Sequence, residues 1–390
     1  MKIALVLPTP PSYSETFFRS KIQGLLNHGH KVVLVTGRTT EKFDLCNVIY
    51  HPKVYKNKYL QVLAMLKVFM GLCPYYESVF RFLSLEKQAG TPFKRIIEKL
   101  YINATLLKLK VDWVHFGFAT MAIDRELVPK AIKAKMAVSF RGYDINVYPL
   151  KHNNAYSILW QQVDKVHSIS NDLLQRAYRL GLPETTPYHI ITPAVNLDAH
   201  GEPEQAKNHK TIRIVTIARL HYIKGIDLLL EIAAILREKH MDFVWEVIGS
   251  GHKKEEERYL YQKYRLGLHD NVRFLGKMNH QETLNILKQA DLYVQTSVIE
   301  GFCNAVLEAQ SLGKLALAFD KGGLRENIKE GETGFLVKAV NATAMANTII
   351  EVIKLPIEDK QNIREQAKQR VKQHFNLEQQ QKVFNQFYTV

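Results

Sequence analysis

Short apolar runs alternate along the chain with longer segments in which apolar residues recur every three or four positions. The runs are apolar on both faces, which is typical of parallel strands covered by helices on both sides. In the first half they lie at residues 3–7, 31–36, 113–116, 137–140, 165–168 and 188–191. In the second half they lie at residues 213–217, 243–248, 272–275, 292–295, 315–318 and 334–337. The pattern predicts an α/β fold with two doubly wound parallel sheets.

A polar stretch at residues 196–210 separates the two halves and contains Gly201 and Pro203 without apolar periodicity. It predicts a linker between an N-terminal domain, residues 1–195, and a C-terminal domain, residues 210–375. The final segment, residues 376–390, opens with an Asn followed three positions later by a Gln, which is a capping-box pattern. We expect a terminal helix there that crosses back to the N-terminal domain.

The net charge is concentrated in the first half. The chain has 53 Lys+Arg and 38 Asp+Glu, a formal net charge of +15. Residues 1–199 contain 26 basic and 14 acidic side chains, whereas the remainder contains 27 and 24. This asymmetry favours an anionic partner for the first half, such as a membrane surface, a nucleic acid or a phosphorylated substrate.

The three cysteines, Cys46, Cys73 and Cys303, lie far apart and predict neither a disulfide framework nor a zinc site. The first apolar run is too short for a signal peptide. The most apolar window, residues 60–73, falls short of the roughly 20 residues that a membrane-spanning helix needs. The sequence therefore predicts a cytoplasmic protein without a transmembrane segment.

Residues 50–110 interleave many Lys and Arg side chains with Leu, Phe, Tyr and Met at helical spacing. Such a segment can lie in a membrane interface beside anionic lipid. It is more often typical of amphipathic helices packed on a sheet, with the basic side chains in water. The sequence favours this second interpretation and leaves the first open.

The most informative local pattern is a strand end followed by a helix start. The strand ends near Thr296, and the helix is expected to begin at Gly301 or Phe302. The backbone N–H groups of Phe302, Cys303 and Asn304 would then point out at the carboxyl edge of the sheet. A helix start combines unpaired donors with about half a positive charge, which suits a phosphate or a sugar hydroxyl.

Charged side chains flank this turn and a second strand-to-helix turn. Glu300 precedes the helix and Glu308 lies about two turns inside it, and carboxylates accept hydrogen bonds from vicinal sugar hydroxyls. Arg219 and Lys224 share the loop after residues 213–217 and are apt partners for a diphosphate. Taken singly, each of these residues is equally consistent with a solvated surface charge. Gly249 opens a glycine-rich turn that allows a ligand or another backbone segment to approach closely.

Seven motifs follow one another in the second half: Ala218-Arg219-Leu220 with Lys224-Gly225, Ile248-Gly249-Ser250-Gly251, Phe274-Leu275-Gly276, Ala290-Asp291, Glu300-Gly301-Phe302 through Leu307-Glu308, Gly322-Gly323-Leu324-Arg325-Glu326 and Gly331-Glu332-Thr333-Gly334-Phe335. In type and order they resemble the donor domain of family-four retaining glycosyltransferases. Residues 8–17, PTPPSYSETF, resemble the first loop of the branch that builds exopolysaccharide, colanic acid and O-antigen chains, without the glycine pair common in that loop. The resemblance implies a GT-B fold, with two Rossmann-like domains facing a cleft, an acceptor-binding N-terminal domain and a donor-binding C-terminal domain.

The resemblance also implies roles for individual residues. The catalytic group would be His115, Arg219, Lys224 and Glu300; the donor-binding group would be Ser14, Gly249, Met278, Gly301, Phe302, Cys303, Asn304, Val306 and Glu308; the acceptor side would be Arg141 and Asp144. Within these groups Glu300 would bind sugar hydroxyls, Glu308 the ribose hydroxyls, and the backbone of Met278 would lie near the base.

Two positions in the first half allow more than one interpretation. His115 ends a predicted strand and resembles the family's histidine that contacts the transferred sugar, although core histidines are also common. Arg141 stands where the family often has a histidine, and an arginine cannot act as a base because its pKa exceeds about 12. It could bind an acidic sugar or an acceptor phosphate, or pair with Asp144.

The resemblance implies a metal-independent retaining glycosyltransferase that moves a sugar from a nucleotide diphosphate sugar to a glycan or lipid-linked acceptor in cell-surface polysaccharide synthesis. No cofactor is expected, because the chain has no Asp-x-Asp and no His/Asp/Glu cluster with ligand spacing. Peripheral contact of the basic half with an anionic membrane is open, and no nucleic-acid partner is expected because no recognisable binding motif is present. The alternatives are a GT-B nucleotide-sugar epimerase, a catalytically inert scaffold that retains the fold, or a non-enzymatic basic protein that binds nucleic acid or membrane.

Overall fold

The computed structural model describes residues 1–11, 16–39, 43–197 and 211–389. Two compact units are present: residues 1–191 together with 381–390, and residues 192–380. Most of the stretch that predicts the linker lies outside the described residues.

The first unit contains a seven-stranded parallel sheet in the order β3-β2-β1-β4-β5-β6-β7. Its strands are β1 Lys2–Val6, β2 Lys31–Thr36, β3 Asn47–Tyr50, β4 Trp113–Phe116, β5 Lys135–Phe140, β6 Lys165–Ser168 and β7 Tyr188–Ile190. Its helices are α1 Thr16–Asn27, α2 Lys58–Met70, α3 Tyr76–Gln88, α4 Phe93–Leu107, α5 Ala119–Ala122, α6 Val128–Ala131, α7 Tyr148–Lys151, α8 Ser157–Gln162 and α9 Asn171–Arg179.

The second unit contains a six-stranded parallel sheet in the order β10-β9-β8-β11-β12-β13. Its strands are β8 Ile212–Ile217, β9 Phe243–Ile248, β10 Val272–Gly276, β11 Leu292–Gln295, β12 Leu315–Phe319 and β13 Phe335–Val337. The helices from here to the C-terminus are α10 Ile226–Glu238, α11 Lys253–Arg265, α12 His280–Lys288, α13 Asn304–Ser311, α14 Leu324–Asn327, α15 Ala342–Lys354, α16 Ile357–His374 and α17 Leu377–Thr389.

All twelve strands predicted from the apolar runs are present, with ends that differ by at most two residues. The prediction missed β3, which lies at the edge of the first sheet and pairs with β2 alone. None of its four residues is buried, and its apolar run is only Val48-Ile49-Tyr50. The terminal helix α17 begins directly after Asn376, whose Oδ1 accepts a hydrogen bond from the Gln379 N–H at 2.8 Å.

Alternation along the second sheet produces two apolar layers, one on each face. Val215, Ile248 and Tyr293 belong to one buried cluster, and their chain neighbours Ile214 and Val294 belong to the other. In the first unit the core includes Phe384, Phe387 and Tyr388, so the last part of α17 supplies apolar side chains to this core. Burial on both faces is why these strands are continuous apolar runs.

Candidate functional site

The candidate site lies where the strand order of the second sheet reverses. β9 and β10 lie on one side of β8, and β12 and β13 lie on the far side of β11. Ligands of open α/β sheets bind outside the carboxyl ends of the strands at such a reversal. Arg219 and Lys224 follow β8, and Glu300 follows β11. Topology thus brings three of the four predicted catalytic residues to one edge.

A mostly buried ion pair joins the two loops. Lys224 Nζ lies 2.5 Å from Glu300 Oε2, and the two side chains are 16% and 10% exposed. The same Glu300 oxygen accepts a hydrogen bond from Ser297 Oγ at 3.0 Å. Arg219 is exposed and lies just after the end of β8, in the loop that also carries Lys224. The site therefore combines a fixed cation, a fixed carboxylate and a cation in contact with solvent.

A row of buried, hydrogen-bonded polar side chains leads to Glu300. The sequence analysis did not predict it. Tyr293 Oη donates to Gln295 Oε1 at 2.5 Å, and Gln295 Nε2 donates to Ser297 Oγ at 2.7 Å. These three residues are spaced by two along β11 and its extension, so their side chains share one face. The sequence signal that could have predicted this row is the presence of polar side chains at alternate positions of an otherwise apolar strand.

The two loops are locked together by backbone contacts. Thr296 Oγ1 donates to the Lys224 carbonyl at 2.9 Å, and the Val298 N–H donates to the Ile223 carbonyl at 3.0 Å. Between them Gly225 adopts φ +64°, and a Cβ at this position would lie 2.0 Å from the Thr296 carbonyl oxygen. A glycine is required here both for the left-handed backbone and for the close approach.

The helix start differs from the expectation. α13 begins at Asn304 and not at Gly301 or Phe302, because Cys303 is extended and occupies the N-cap position. The Cys303 N–H donates to Asn327 Oδ1 at 2.9 Å, and Asn327 Nδ2 donates to the Cys303 carbonyl at 3.0 Å. The Cys303 amide is therefore already paired within the protein, which corrects the prediction that it points out as a free donor.

The side chains around this helix start are buried. Phe302 packs against Phe375 with ring centroids 5.7 Å apart, and Val306 is fully buried. Burial raises the pKa of the Cys303 thiol to about 12, so this cysteine is a neutral core residue. These residues can meet a ligand only through their backbone, whereas Asn304 is exposed.

The other predicted donor-binding residues of this unit lie on neighbouring strand ends and helices. Glu308 Oε1 pairs with His280 Nε2 at 3.0 Å, and this hydrogen bond raises the pKa of His280. Met278 follows β10 and is partly buried against the core. The Gly249 N–H follows β9 and donates to the Gly276 carbonyl at 2.8 Å. His280 was not predicted from the sequence.

His115 lies inside the first unit. It is fully buried in β4, where its register partner is Leu5. Its ring nitrogens are hydrogen-bonded to Lys21 Nζ at 3.1 to 3.2 Å, to Ser139 Oγ at 2.7 Å and to Tyr388 Oη at 2.5 Å. The structure thus places His115 in a buried polar network, and its contact with the transferred sugar stays a prediction.

The two predicted acceptor-side residues contact each other through the Arg141 backbone. Asp144 is buried, and its carboxylate accepts hydrogen bonds from the backbone N–H groups of Ala119, Arg141 and Gly142 at 2.9 to 3.0 Å. The guanidinium carbon of Arg141 lies 3.5 Å from the centroid of the Phe17 ring. Asp144 thus holds a loop in place, and the acceptor role of both residues stays a prediction.

Two further expectations concern the first loop and a metal ion. Ser14 and its neighbours in the loop after β1 lie outside the described residues. Across residues 1–11, 16–39, 43–197 and 211–389, no group of three or more His, Cys, Asp or Glu side chains is arranged to hold a metal ion.

The buried histidines predict a pH-dependent stability of the first unit. Burial is the main cause that lowers the pKa of His115 and His167 well below 6.5 and the pKa of His51 to about 4, and it also lowers the pKa of Lys21. In the unfolded chain the histidines become protonated as the pH falls through 6.5, whereas burial in the folded state opposes their protonation. The unfolded state then binds more protons, so we expect the free energy of unfolding to decrease between pH 7.5 and 5.5, by about 1.4 kcal/mol for each histidine that stays neutral in the fold.

Urea unfolding at the two pH values tests this expectation in a Trp245→Phe background, in which Trp113 and Trp160 of the first unit are the remaining reporters. Burial raises the pKa values of Glu126 and Asp144, so their protonation at low pH favours the folded state and opposes the expected loss of stability. A variant of one histidine therefore isolates the histidine contribution. His167→Gln should remove the contribution of one of these three histidines, about 1.4 kcal/mol between the two pH values. An unchanged pH dependence in this variant would show that His167 is not one of its sources.

The comparisons with known proteins agree with this geometry. The family described as glycosyl transferases group 1 matches residues 201–370. WcaL of Escherichia coli (strain K12), named as a putative colanic acid biosynthesis glycosyltransferase, is 24% identical over an alignment of 400 positions that covers 96% of each chain. One component of the human phosphatidylinositol N-acetylglucosaminyltransferase is 39% identical over 131 residues, which are 33% of this chain and 26% of that protein.

Solved structures share the fold over almost the whole chain. A glycosyltransferase from Rickettsia africae has a TM-score of 0.70 at 21% identity, and the superposition covers 99% of this chain and 97% of that structure. A sucrose-phosphate synthase from Thermosynechococcus elongatus has a TM-score of 0.76 at 17% identity and covers 100% and 98%. Anabaena HepE in complex with UDP and glucose has a TM-score of 0.72 at 15% identity and covers 99% and 98%. Residues 201–370 therefore form a domain of the glycosyl transferases group 1 family, and the two parallel-sheet units have the GT-B fold.

Proposed function

We propose that this glycosyltransferase moves a hexose from a nucleotide diphosphate sugar to a glycan or lipid-linked acceptor in cell-surface polysaccharide synthesis, with retention of configuration and without a metal ion. The observation that carries the proposal is the convergence of Arg219, Lys224 and Glu300 at the strand reversal of the second sheet. The names of WcaL and of the UDP-bound HepE structure support the acceptor class and the donor class, respectively.

The chemistry follows from the charge that develops during transfer. When the anomeric C–O bond breaks, negative charge builds on the diphosphate, and fixed cations stabilise this charge more than they stabilise the bound donor. Lys224 is held in place by Glu300 before the donor binds, so little reorganisation is needed. Arg219 can add a bidentate contact because its guanidinium is planar. These two cations would supply the role that a metal ion has in other transferases.

The carboxylates would orient the donor. Glu300 keeps acceptor capacity for sugar hydroxyls, since a carboxylate offers about four lone-pair sites. Glu308, mostly buried in α13 and paired with His280, would bind the ribose hydroxyls. The buried polar side chains of Tyr293, Gln295 and Ser297 would hold Glu300 in position.

The cytoplasmic location expected from the sequence stays a prediction.

Replacing Arg219 with alanine is expected to lower kcat/KM by roughly 10- to 150-fold, because one charge-assisted contact of about 1.5 to 3 kcal/mol is lost in the transition state. The assay follows sugar transfer from a panel of UDP- and GDP-sugars, and donors are first identified by thermal stabilisation of the protein. The matched control is Arg265→Ala, an exposed arginine in the last turn of α11, the end of the helix that lies toward the amino edge of the sheet.

Several results would contradict the proposal. Equal rates for Arg219→Ala and the unchanged protein would remove the phosphate role of this arginine. Loss of activity with a chelator, restored by a divalent cation, would overturn metal independence. Donor conversion to an isomer without transfer would identify an epimerase, and inversion at the anomeric carbon, read by NMR of the product, would overturn retention.

A further inference from the structure

Helix α2 exposes an unusual density of large apolar side chains. None of its residues is buried. Seven large apolar residues on it and just before it are between 50% and 84% exposed: Val54, Tyr59, Leu60, Val62, Leu63, Leu66 and Met70. Single exposed apolar residues are normal on soluble proteins, whereas a cluster of this kind marks an interaction surface.

The exposure does not result from a poorly packed helix. Phe69 of α2 is half-buried and makes an edge contact with Tyr101 of α4, with ring centroids 6.4 Å apart. Tyr101 Oη also donates to the Lys53 carbonyl at 2.6 Å, and Asn57 Oδ1 caps the start of α2. One face of α2 is thus fixed to the first unit, and the other face carries the apolar cluster.

The next helix, α3, shows the same division. Its inner face contains Phe82 and Glu86, which are fully buried, and Glu86 pairs with Lys99 of α4 at 2.9 Å. On its outer face Tyr76 and Phe80, one turn apart, are 69% and 74% exposed. The anchored inner faces and apolar outer faces of α2 and α3 therefore form one structural feature.

The charges around α2 have one sign. Residues 45–76 contain no Asp or Glu, while Lys53, Lys56, Lys58 and Lys67 are all exposed. Lysine stems can lie along an apolar surface while the ammonium groups reach anionic headgroups. A symmetric contact between two copies would bring these lysines together, which disfavours self-association.

From these contacts we infer that α2 and the outer face of α3 dock the protein onto an anionic phospholipid bilayer, with the apolar cluster inserted at the level of the headgroups. Among the described residues no single helix is long and apolar enough to cross a membrane, and α2 with residues 73–88 meets that test only as a pair bent by 53°. At 13 residues, α2 is about 20 Å long, less than the roughly 30 Å of a hydrocarbon core. It lies in the interface in the manner of a monotopic helix.

Co-sedimentation of the full chain with sucrose-loaded vesicles tests the inference. Vesicles of 30% phosphatidylglycerol in phosphatidylcholine should bind the protein at 0.1 M NaCl, and 0.5 M NaCl should weaken binding because salt screens the lysines. The variant Lys56→Gln/Lys58→Gln/Lys67→Gln should bind roughly 100-fold more weakly, at about fivefold per lysine. Leu63→Ser/Leu66→Ser should lose about tenfold per leucine.

A matched control is available on α11, where Leu260 and Tyr261 are also exposed and Lys263 is half-buried, but three glutamates accompany them. Leu260→Ser/Tyr261→Ser/Lys263→Gln should bind vesicles as the unchanged protein does. Far-UV circular dichroism verifies that each variant is folded. As a second readout, the tryptophan emission of Tyr59→Trp should shift to shorter wavelength when anionic vesicles are added.

Two results would overturn the inference. One is equal association of the unchanged protein with anionic and with pure phosphatidylcholine vesicles, together with no effect of the α2 variants. The other is a dimer or a complex with an acidic protein that the α2 variants dissociate while vesicle binding is unaffected. The inference does not depend on the proposed glycosyl transfer, since vesicle binding is measured without donor or acceptor.

Discussion

Replacing Lys224 with methionine is expected to lower both the rate of glycosyl transfer and the free energy of unfolding of the second unit. Lys224 Nζ lies 2.5 Å from Glu300 Oε2, and both side chains are mostly buried. Removing one member of such a pair leaves a buried charge without compensation, which typically costs about 3 to 5 kcal/mol. The remaining exposure of the pair places the expected loss at about 2 to 4 kcal/mol, measured by urea unfolding.

The double variant Lys224→Met/Glu300→Gln separates the structural role of the pair from its catalytic role. The side-chain amide introduced by Glu300→Gln carries no charge and can still accept the hydrogen bond from Ser297. Most of the stability lost in Lys224→Met should therefore return. Activity should not return, because the cation that stabilises the departing diphosphate is still missing. Recovery of both stability and kcat/KM in the double variant would show that Lys224 serves only the fold.

Replacing Gly225 with alanine is the second change with a large expected effect. The residue has φ +64°, and its added Cβ would lie 2.0 Å from the Thr296 carbonyl oxygen. The left-handed conformation alone costs an alanine roughly 1 to 2 kcal/mol. The overlap with backbone adds to that cost, and it forces the loops carrying Lys224 and Glu300 apart. We expect a loss of more than about 2 kcal/mol in stability, together with reduced activity.

Gly331→Ala is the matched control in the same unit. Gly331 has φ +73°, and a Cβ there would meet nothing within 4 Å, so only the conformational cost applies. The difference in unfolding free energy between the two variants isolates the overlap with Thr296. Equal losses would contradict the close packing of the two loops.

The strands could be predicted from sequence because their signal is local. A strand such as β2, with the sequence KVVLVT, is apolar on both faces and β-branched, and only a parallel sheet covered on both sides buries such a run. Because the strands are buried on both faces, the sequence pattern could not indicate where the His115 side chain lies. Val114 and Phe116 are as fully buried as His115, so the alternation along β4 does not distinguish a face that binds a ligand from a face in the core.

The candidate site was predicted only in part. Arg219, Lys224, Glu300 and Glu308 were recognised through the motifs around them, since each alone has the pattern of a surface charge. The role of Asn327 in pairing the Cys303 backbone depends on a contact between residues 24 positions apart, and a pattern over neighbouring residues does not contain it. The interaction of His280 with Glu308 is of the same kind.

By itself the sequence determined two parallel-sheet units, the order of their strands along the chain and the set of charged residues at strand ends, because each of these follows from local periodicity and from motif order. Only the tertiary structure decided which charges meet. The reversal of strand order between β8 and β11 brings Lys224 to Glu300 across 76 positions, and the packing of α2 against α4 leaves one apolar face of α2 in solvent. Both results depend on contacts between distant segments, whose geometry is set by the packing of whole elements.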